Sequence, residues 1–317
     1  MDWLEDYENE IERIFEEAAA ETAKFPAPLD ELGFALLARL NPLRTNAGTN
    51  YISFLLPYWL REQTNSSGLM SRDLAVGNVF AMIHFFLLDD VMDEGTELHS
   101  LKVRSSLVLG QLYQTLFQQR YSSYFPSDSP LWKYYQGYIA DWASAVSQEG
   151  KHAADPRDFR QLARKSAPVK LCAAGMLLIS GQLDRMAELE EAIDLVLATL
   201  QLSDDWTDWR EDLAEEKGNA FLTLVRERLS LPSGQPLDER TVKQAIYRTD
   251  ALDKLAEIVR DHGERLKKIA HVPASLIEFQ ETIAMGLRKD ADSAEETTIK
   301  LASGGSLSYF LSNITIN

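Results

Sequence analysis

The chain has a single cysteine, Cys172, so it holds no internal disulfide and its fold must rest on packing. That usage fits a reducing, cytoplasmic setting. Cys172 lies inside the apolar run LCAAGMLLIS, where it reads as a small core hydrophobe rather than a nucleophile. Positive charge is also scarce. Lys and Arg number 32 against 49 Asp and Glu, a formal net charge of −17. Such a surplus repels nucleic acid and anionic membrane at long range, so neither is expected as a partner. An anionic substrate would need local help from metal ions or from a few placed Lys and Arg residues. The five histidines show no metal-ligand spacing such as H-E-x-x-H, and no nucleophile elbow, P-loop or dinucleotide fingerprint is present. No apolar stretch is expected to approach the roughly 20 residues that span a bilayer. The acidic, amphipathic start MDWLEDYENEIERIFEE is unlike a signal or transit peptide. No integral membrane segment is therefore expected.

What is abundant is helical periodicity. Hydrophobic residues make up 45% of the 317, enough for a large core, and alternating runs that would read as strands are few. The expected fold is all-α, a large helical bundle around a central apolar cavity, in a single domain over 1–317. Periodicity and Gly, Pro, Asn and Asp punctuation place helices at roughly 2–22, 29–40, 48–63, 71–94, 97–121, 129–149, 156–182, 185–213, 218–229, 237–246, 249–270 and 273–290. From Thr297 the sequence TTIKLASGGSLSYFLSNITIN loses the helical pattern, so 297–317 reads as a flexible tail or a cap over a cavity mouth.

Two acidic clusters stand out. The first is Ile83-His-Phe-Phe-Leu-Leu-Asp89-Asp90-Val-Met-Asp93-Glu94-Gly95, an apolar helix ending in carboxylates. Residues four apart share a helix face, so Asp89 and Asp93 point the same way. Like charges at that spacing weaken a bare helix, and a solvated terminus or a divalent metal would offset the repulsion. The second is Gln201-Leu-Ser-Asp204-Asp205-Trp-Thr-Asp208-Trp-Arg-Glu-Asp212, with Asp204, Asp208 and Asp212 at i, i+4 and i+8. Acidic i, i+4 pairs alone are usually solvated faces. Two D-D-x-x-D strings, each after a strongly apolar helix, are a much rarer combination. Mg²⁺ prefers a few carboxylates, retained waters and phosphate oxygens. Ions held on such walls would neutralise a diphosphate and make it a leaving group, while the apolar helices form a dry pocket for a carbocation.

These strings resemble the two aspartate-rich motifs of the trans-prenyl diphosphate synthase superfamily, the second usually preceded by glutamine. The likeness spans about residues 75–222. It implies the class I isoprenoid synthase fold, three Mg²⁺ ions, a homodimer, and metal ligands among Asp89, Asp90, Asp93, Asp204, Asp205, Asp208 and Asp212. Of these, Asp89, Asp93, Asp204 and Asp208 would carry the catalysis. Arg164-Lys165-Ser166-Ala167 sits where the family carries a Lys-Thr on a helix that breaks above the cavity, and Lys217-Gly218-Asn219 lies near its diphosphate-binding lysine with the Gly-Lys order inverted. Lys165, Lys217 and Gln201 are thus expected at the diphosphate.

The departures concern the second substrate. Elongating members bind isopentenyl diphosphate through a Gly-Gly-Lys-x-x-Arg-type loop, a His or Gln seven residues before the first Asp, and an Arg pair after the first motif. Here those places hold Asn41-Pro-Leu-Arg44-Thr-Asn-Ala-Gly48, Met82 and Leu98-His99. The resemblance therefore implies ionisation of one allylic diphosphate by a terpene synthase, or by a prenyltransferase that gives the cation to a non-isoprenoid acceptor. Asp204, Asp208 and Asp212 occupy the three positions of the cyclase Asn-Asp-x-x-Ser-x-x-x-Glu triad, with acids throughout. Phe85 and His84, four and five residues before the first Asp, would set the pocket floor and limit the chain to about ten to fifteen carbons, with Phe86 and Met82 on the same helix. Trp206, beside the second cluster, could stabilise a passing cation by about 0.5–2 kcal/mol.

Overall fold

The computed structural model describes residues 2–44, 50–93, 100–148, 154–232 and 235–302, and among these every regular element is helical. The chain divides into two compact units. The first comprises Met1–Tyr138, Pro168–Leu189 and Pro273–Leu276, and the second Ile139–Ala167, Glu190–Val272 and Ile277–Asn317.

The first unit is built on the Gly68–Asp93 helix, against which the Tyr51–Trp59 and Leu101–Ser122 helices pack. Its middle is apolar on nearly every side: Leu74, Ala75, Val76, Val79, Phe80 and Ile83 are all fully buried. Each large side chain so removed from water stabilises by about 1.5–3 kcal/mol. Within Gly68–Met92 the most apolar 18-residue stretch has a mean hydropathy of 1.6, and the 25-residue segment is long and apolar enough to cross a membrane by length and composition alone. That corrects the expectation that no stretch approaches spanning length. In this fold the segment is a core helix, with 56% of its most apolar window buried in protein. Around it run polar ties: Arg72 holds Glu10 at 3.0 Å, and Arg120 and Tyr124 both bond Asp73, at 2.7 and 2.5 Å. Close approach is allowed by Gly175, where a Cβ would lie 2.6 Å from Phe125 Cζ.

The second unit packs the Ala220–Arg228, Glu239–Arg248 and Ala251–Leu266 helices with the Glu190–Thr207 and Ile277–Ala302 portions of two longer ones. Along Ala251–Leu266 the buried positions Leu252, Leu255, Ala256, Val259, His262, Gly263 and Leu266 form the stripe that a 3.6-residue repeat requires. Phe221, Leu224, Val242 and Trp209 complete the core.

Several boundaries differ from the sequence expectation, each for a local reason. The helix expected at 156–182 is three pieces: Phe159–Ala163, a 3₁₀ segment Arg164–Lys170, and Leu171–Ser180. Pro168 removes a backbone donor and disfavours α geometry before it, and Ser166 leaves helical angles at φ −111°, ψ 15°. The 48–63 helix ends at Trp59 and resumes as Arg61–Thr64, closed by Asn65 in the left-handed region. Ser100 caps the next helix by accepting from the Val103 N–H at 3.1 Å, and that helix begins at Leu101, four residues later than expected. The last helix runs on to Ala302, well past the expected 290 and through the first residues of the supposed tail. Its polar end is supported by i, i+4 pairs such as Arg288–Asp292 and Lys300–Glu296. Residues 303–317, Thr45–Gly48, Glu94–Gly95 and Leu98-His99 lie outside the described residues.

Candidate active site

The Met186–Thr207 helix, whose Glu190–Thr207 portion lies in the second unit, fully buries Ala192, Ile193, Leu195, Val196 and Ala198, and its last turns carry Asp204 and Asp205. The helix bends at Asp208 (φ −102°, ψ 9°) and resumes as Trp209–Ala214. The bend corrects the single helix expected over 185–213, yet the i→i+4 bonding continues across it: Asp208 N–H donates to the Asp204 carbonyl at 2.8 Å, and Asp212 N–H to the Asp208 carbonyl at 3.0 Å. Asp204, Asp208 and Asp212 therefore keep their register on one wall.

Asp205 is used differently from its neighbours. Only 4% of it is exposed, and both carboxylate oxygens are engaged: Gln201 Nε2 donates to Oδ1 at 2.8 Å, and the Ala220 N–H donates to Oδ2 at 2.7 Å. Ala220 is the first residue of the Ala220–Arg228 helix, so a carboxylate sits at that helix's positive end. Gln201, expected at the diphosphate, thus spends its amide donor on positioning Asp205.

Asn219 joins these parts, and sequence reasoning assigned it no role. Its Nδ2 donates to the Asp205 carbonyl and to Asp212 Oδ2, both at 2.7 Å, while its Oδ1 caps the helix at the Leu222 N–H, 2.9 Å away. The capping half was legible, since Asn before Ala-Phe-Leu-Thr-Leu is an N-cap signature. The bracing half was not. Between Asp212 and Asn219 the chain turns through Glu216 at φ +56°, with Lys217 N–H donating to the Asp212 carbonyl at 2.9 Å as in a Schellman close. Lys217 pairs with Glu215 at 2.8 Å and also acts on Asp212 by charge.

The electrostatics mark a site that holds too much negative charge. Asp204 keeps solvent-accessible surface but is closely surrounded by protein. Desolvation, then the charges of Asp208 and Asp205, push its carboxyl up to about 7, with Lys165 pulling the other way. Asp205 is pushed up to about 6, chiefly by desolvation, despite its hydrogen bonds from Ala220 and Gln201. Asp212 is raised by desolvation and by Asp208, against Asn219, Lys217 and Lys165. Lys165 comes from the 3₁₀ break and exerts its field on three of the four aspartates. Among the described residues no three His, Cys, Asp or Glu side chains close into a metal cage. An open row of mutually repelling carboxylates instead fits a hard divalent cation that takes one or two protein oxygens and keeps water and phosphate oxygens for the rest.

The remaining candidates fall in two groups. Trp206 is edge-on to Phe221 at 5.0 Å and donates Nε1–H to Asp290 at 2.9 Å, so it packs with the core of the second unit and is absent from the lining of the recess described below. Asp89 and Asp90 stand exposed at the end of the Gly68–Asp93 helix in the first unit, and Asp93 is its last residue. On the same helix Met82 is buried and Phe85 and Phe86 are half-buried. His84 donates Nδ1–H to the Gly110 carbonyl at 2.9 Å and meets Phe85 edge-on at 5.2 Å. Burial lowers its pKa, which suits a packed neutral ring.

Beside Lys165 the second unit contains a recess of about 90 Å³, lined by Gln148, Gln161, Arg164, Lys165, Gln201, Asp205 and Gly218 with smaller neighbours. Ligand pockets usually measure about 300–1,000 Å³, so this one suits a head group rather than a whole prenyl chain.

No family model matches the chain, and no curated protein does either. Solved structures do. Heptaprenyl diphosphate synthase from Staphylococcus aureus matches with a TM-score of 0.61 at 13% identity, over 90% of this chain and 97% of that one. FPPS from T. brucei matches with a TM-score of 0.55 at 17% identity, over 88% and 99%. The chain has the all-α, trans-prenyl diphosphate synthase-like fold of the isoprenoid synthases.

Proposed function

We propose that this protein is a class I terpene synthase that ionises one allylic prenyl diphosphate and cyclises or rearranges the cation, releasing diphosphate. The substrate has about ten to fifteen carbons, with twenty as the outer limit. The observation that carries the reading is the open wall of Asp204, Asp208 and Asp212, with the Asp204 and Asp212 carboxyls raised by desolvation and then by the neighbouring Asp208 charge, and with Lys165 acting against that rise. Asp204, Asp208 and Asp212 are proposed as the metal ligands of the second motif, and Asp89, Asp90 and Asp93 as those of the first. Asp205 is reassigned from ligand to positioning residue, because both its oxygens are already occupied. Mg²⁺, when bound, supplies Lewis-acid neutralisation of the departing diphosphate. Lys165 adds a fixed cation to the same charge. Asn219 holds Asp212 in place, and Asp205, tied to the Ala220 N–H, locks the wall to the neighbouring helix.

Loss of the second-diphosphate signature at Met82 and at Asn41-Pro-Leu-Arg44 supports consuming a prenyl chain over extending one. A prenyltransferase acting on a non-isoprenoid acceptor shares the ionisation step. Incubation with Mg²⁺ and geranyl, farnesyl or geranylgeranyl diphosphate separates the two. Hydrocarbon or terpene alcohol in the extract is expected. Diphosphate release without either product would overturn the synthase in favour of acceptor transfer. Asp204→Ala with Asp208→Ala should abolish diphosphate release, and unchanged turnover in that variant would refute the metal wall.

A further inference from the structure

The helix that carries the second acidic cluster has a polar spot on its buried back. Thr199 is fully buried in the second unit, and at 3.6 residues per turn Asp204 and Asp208 stand about 140° and about 180° round the helix from it. Its hydroxyl donates to the Leu195 carbonyl at 2.9 Å, which leaves its lone pairs to accept. Gln280 Nε2 donates to Thr199 Oγ1 at 3.3 Å and to the Val259 carbonyl at 2.9 Å, and His262 Nδ1 lies 3.3 Å from the same hydroxyl. With the hydroxyl proton already spent, Nδ1 carries the donated proton and the neutral ring keeps Nε2 bare. Gln280 is 1% exposed and His262 7%. Gly263 makes the space, since a Cβ there would lie 2.6 Å from Gln280 Oε1. The Ala251–Leu266 helix and the second-unit portions of two longer helices thus meet at one hydroxyl.

Apolar packing alone tolerates more than one register, whereas a buried polar contact is made in one register only. A slip of this helix would strand the Thr199 hydroxyl, the Gln280 amide and the imidazole in an apolar core. We propose that Thr199, His262 and Gln280 form a polar pin that fixes the register of the second-cluster helix within its unit, and that acid releases the pin by adding a proton to the His262 ring. His262 is a positioning residue that acts on the wall through Thr199. Phe159 meets its ring edge-on at 6.2 Å. The charged groups around it are Asp261 and Arg265 on its own helix, Glu191 on the helix of Thr199, which holds Arg265 at 2.7 Å, and Arg160 over Phe159. On the last helix Glu281 pairs with Lys267 at 2.8 Å. Burial lowers the pKa of His262 to about 4, with Asp261 opposing and Arg265 assisting. Because the folded value lies below the usual 6.5, the stability that His262 contributes is complete above about pH 6.5 and is lost as pH falls toward 4. The raised aspartates carry the opposite sign.

The test compares urea unfolding of the metal-free, full-length protein with that of His262→Asn, whose amide keeps a donor where Nδ1 stands and does not titrate. Proton uptake by the unfolded His262 raises the wild-type unfolding constant about thirtyfold between pH 7.5 and pH 5. His262→Asn should lack that rise, and the aspartates, common to both proteins, cancel in the comparison. Profiles that agree within threefold overturn the acid release. Register is read from the emission of Trp206, seven residues after Thr199 on the same helix and bonded to Asp290, assigned by difference against Trp206→Phe. Thr199→Val keeps the shape and removes the hydroxyl, so the native-state emission should shift, and Thr199→Ser should restore it. A folded Thr199→Val with wild-type emission reduces Thr199 to a stability contact and overturns the pin. Should that variant be too unstable to purify, Gly263→Ala, which displaces only the Gln280 amide, is read in the same way. Neither readout needs metal or turnover, so the pin can fail while diphosphate release from an allylic substrate succeeds, and the reverse.

Discussion

Replacing Asn219 separates two jobs that one side chain performs. Asn219 is 3% exposed, and its oxygen caps the Ala220–Arg228 helix while its nitrogen braces the Asp205 carbonyl and Asp212. Losing the cap costs about 1 kcal/mol, within a range of 0.5–2. The Asp205 carbonyl is left without its partner in a buried place, which costs about 1–3 kcal/mol. The lost bond to Asp212 adds little to stability, since that carboxylate is half-exposed and water can replace the donor. Asn219→Ala is therefore expected to destabilise by about 2–4 kcal/mol. Asn219→Ser keeps a capping oxygen and loses both donors, so the gap between the two variants measures the cap, and the gap between serine and wild type measures the brace. Urea unfolding with an unchanged m-value gives the two differences. Diphosphate release should fall in the serine variant, because Asp212 is then no longer held. A serine variant with wild-type stability and wild-type turnover would falsify the bracing role.

Mg²⁺ binding should release protons near pH 6 and almost none near pH 8.5. The carboxyl of Asp204, a proposed ligand, is pushed up to about 7, so the metal-free protein holds a proton there that a cation bound to it must expel, and Asp205 beside it is pushed up to about 6. Calorimetry in buffers of different ionisation enthalpy reads this directly, and equal release at both pH values would contradict it. The same shifts set the stability of the metal-free protein. Because the folded pKa values lie above the unfolded ones, the stabilisation is fully present below about pH 4 and is lost as pH rises toward 7, and Mg²⁺ should restore it. Gly175→Ala gains up to about 1 kcal/mol of helix propensity but drives a methyl to 2.6 Å from the buried Phe125 ring, an overpacking cost of about 1–3 kcal/mol. A lowered melting temperature is expected, and a raised one would show that Phe125 gives way freely.

The local register of the site was legible in the sequence. The spacing of Asp204, Asp208 and Asp212 put them on one wall because a helix repeats its face within four residues, and that bonding persists even through the bend at Asp208. The apolar helices before both acidic clusters and the all-α class followed from the same short-range rules. Other features depended on residues far apart in the chain. Asp205 became a structural carboxylate because the Ala220 N–H, fifteen residues on, reaches its oxygen. Trp206 became a packing residue because Phe221 and Asp290 meet it. Lys165 acts on aspartates about forty residues away only because the Pro168 break leaves it beside them. Periodicity encodes which side chains share a helix face. It carries no information on which distant segment will press against that face, so sequence alone set where the carboxylates stand on their helix, and tertiary packing decided which are free for metal, which are spent on the fold, and how far each holds its proton.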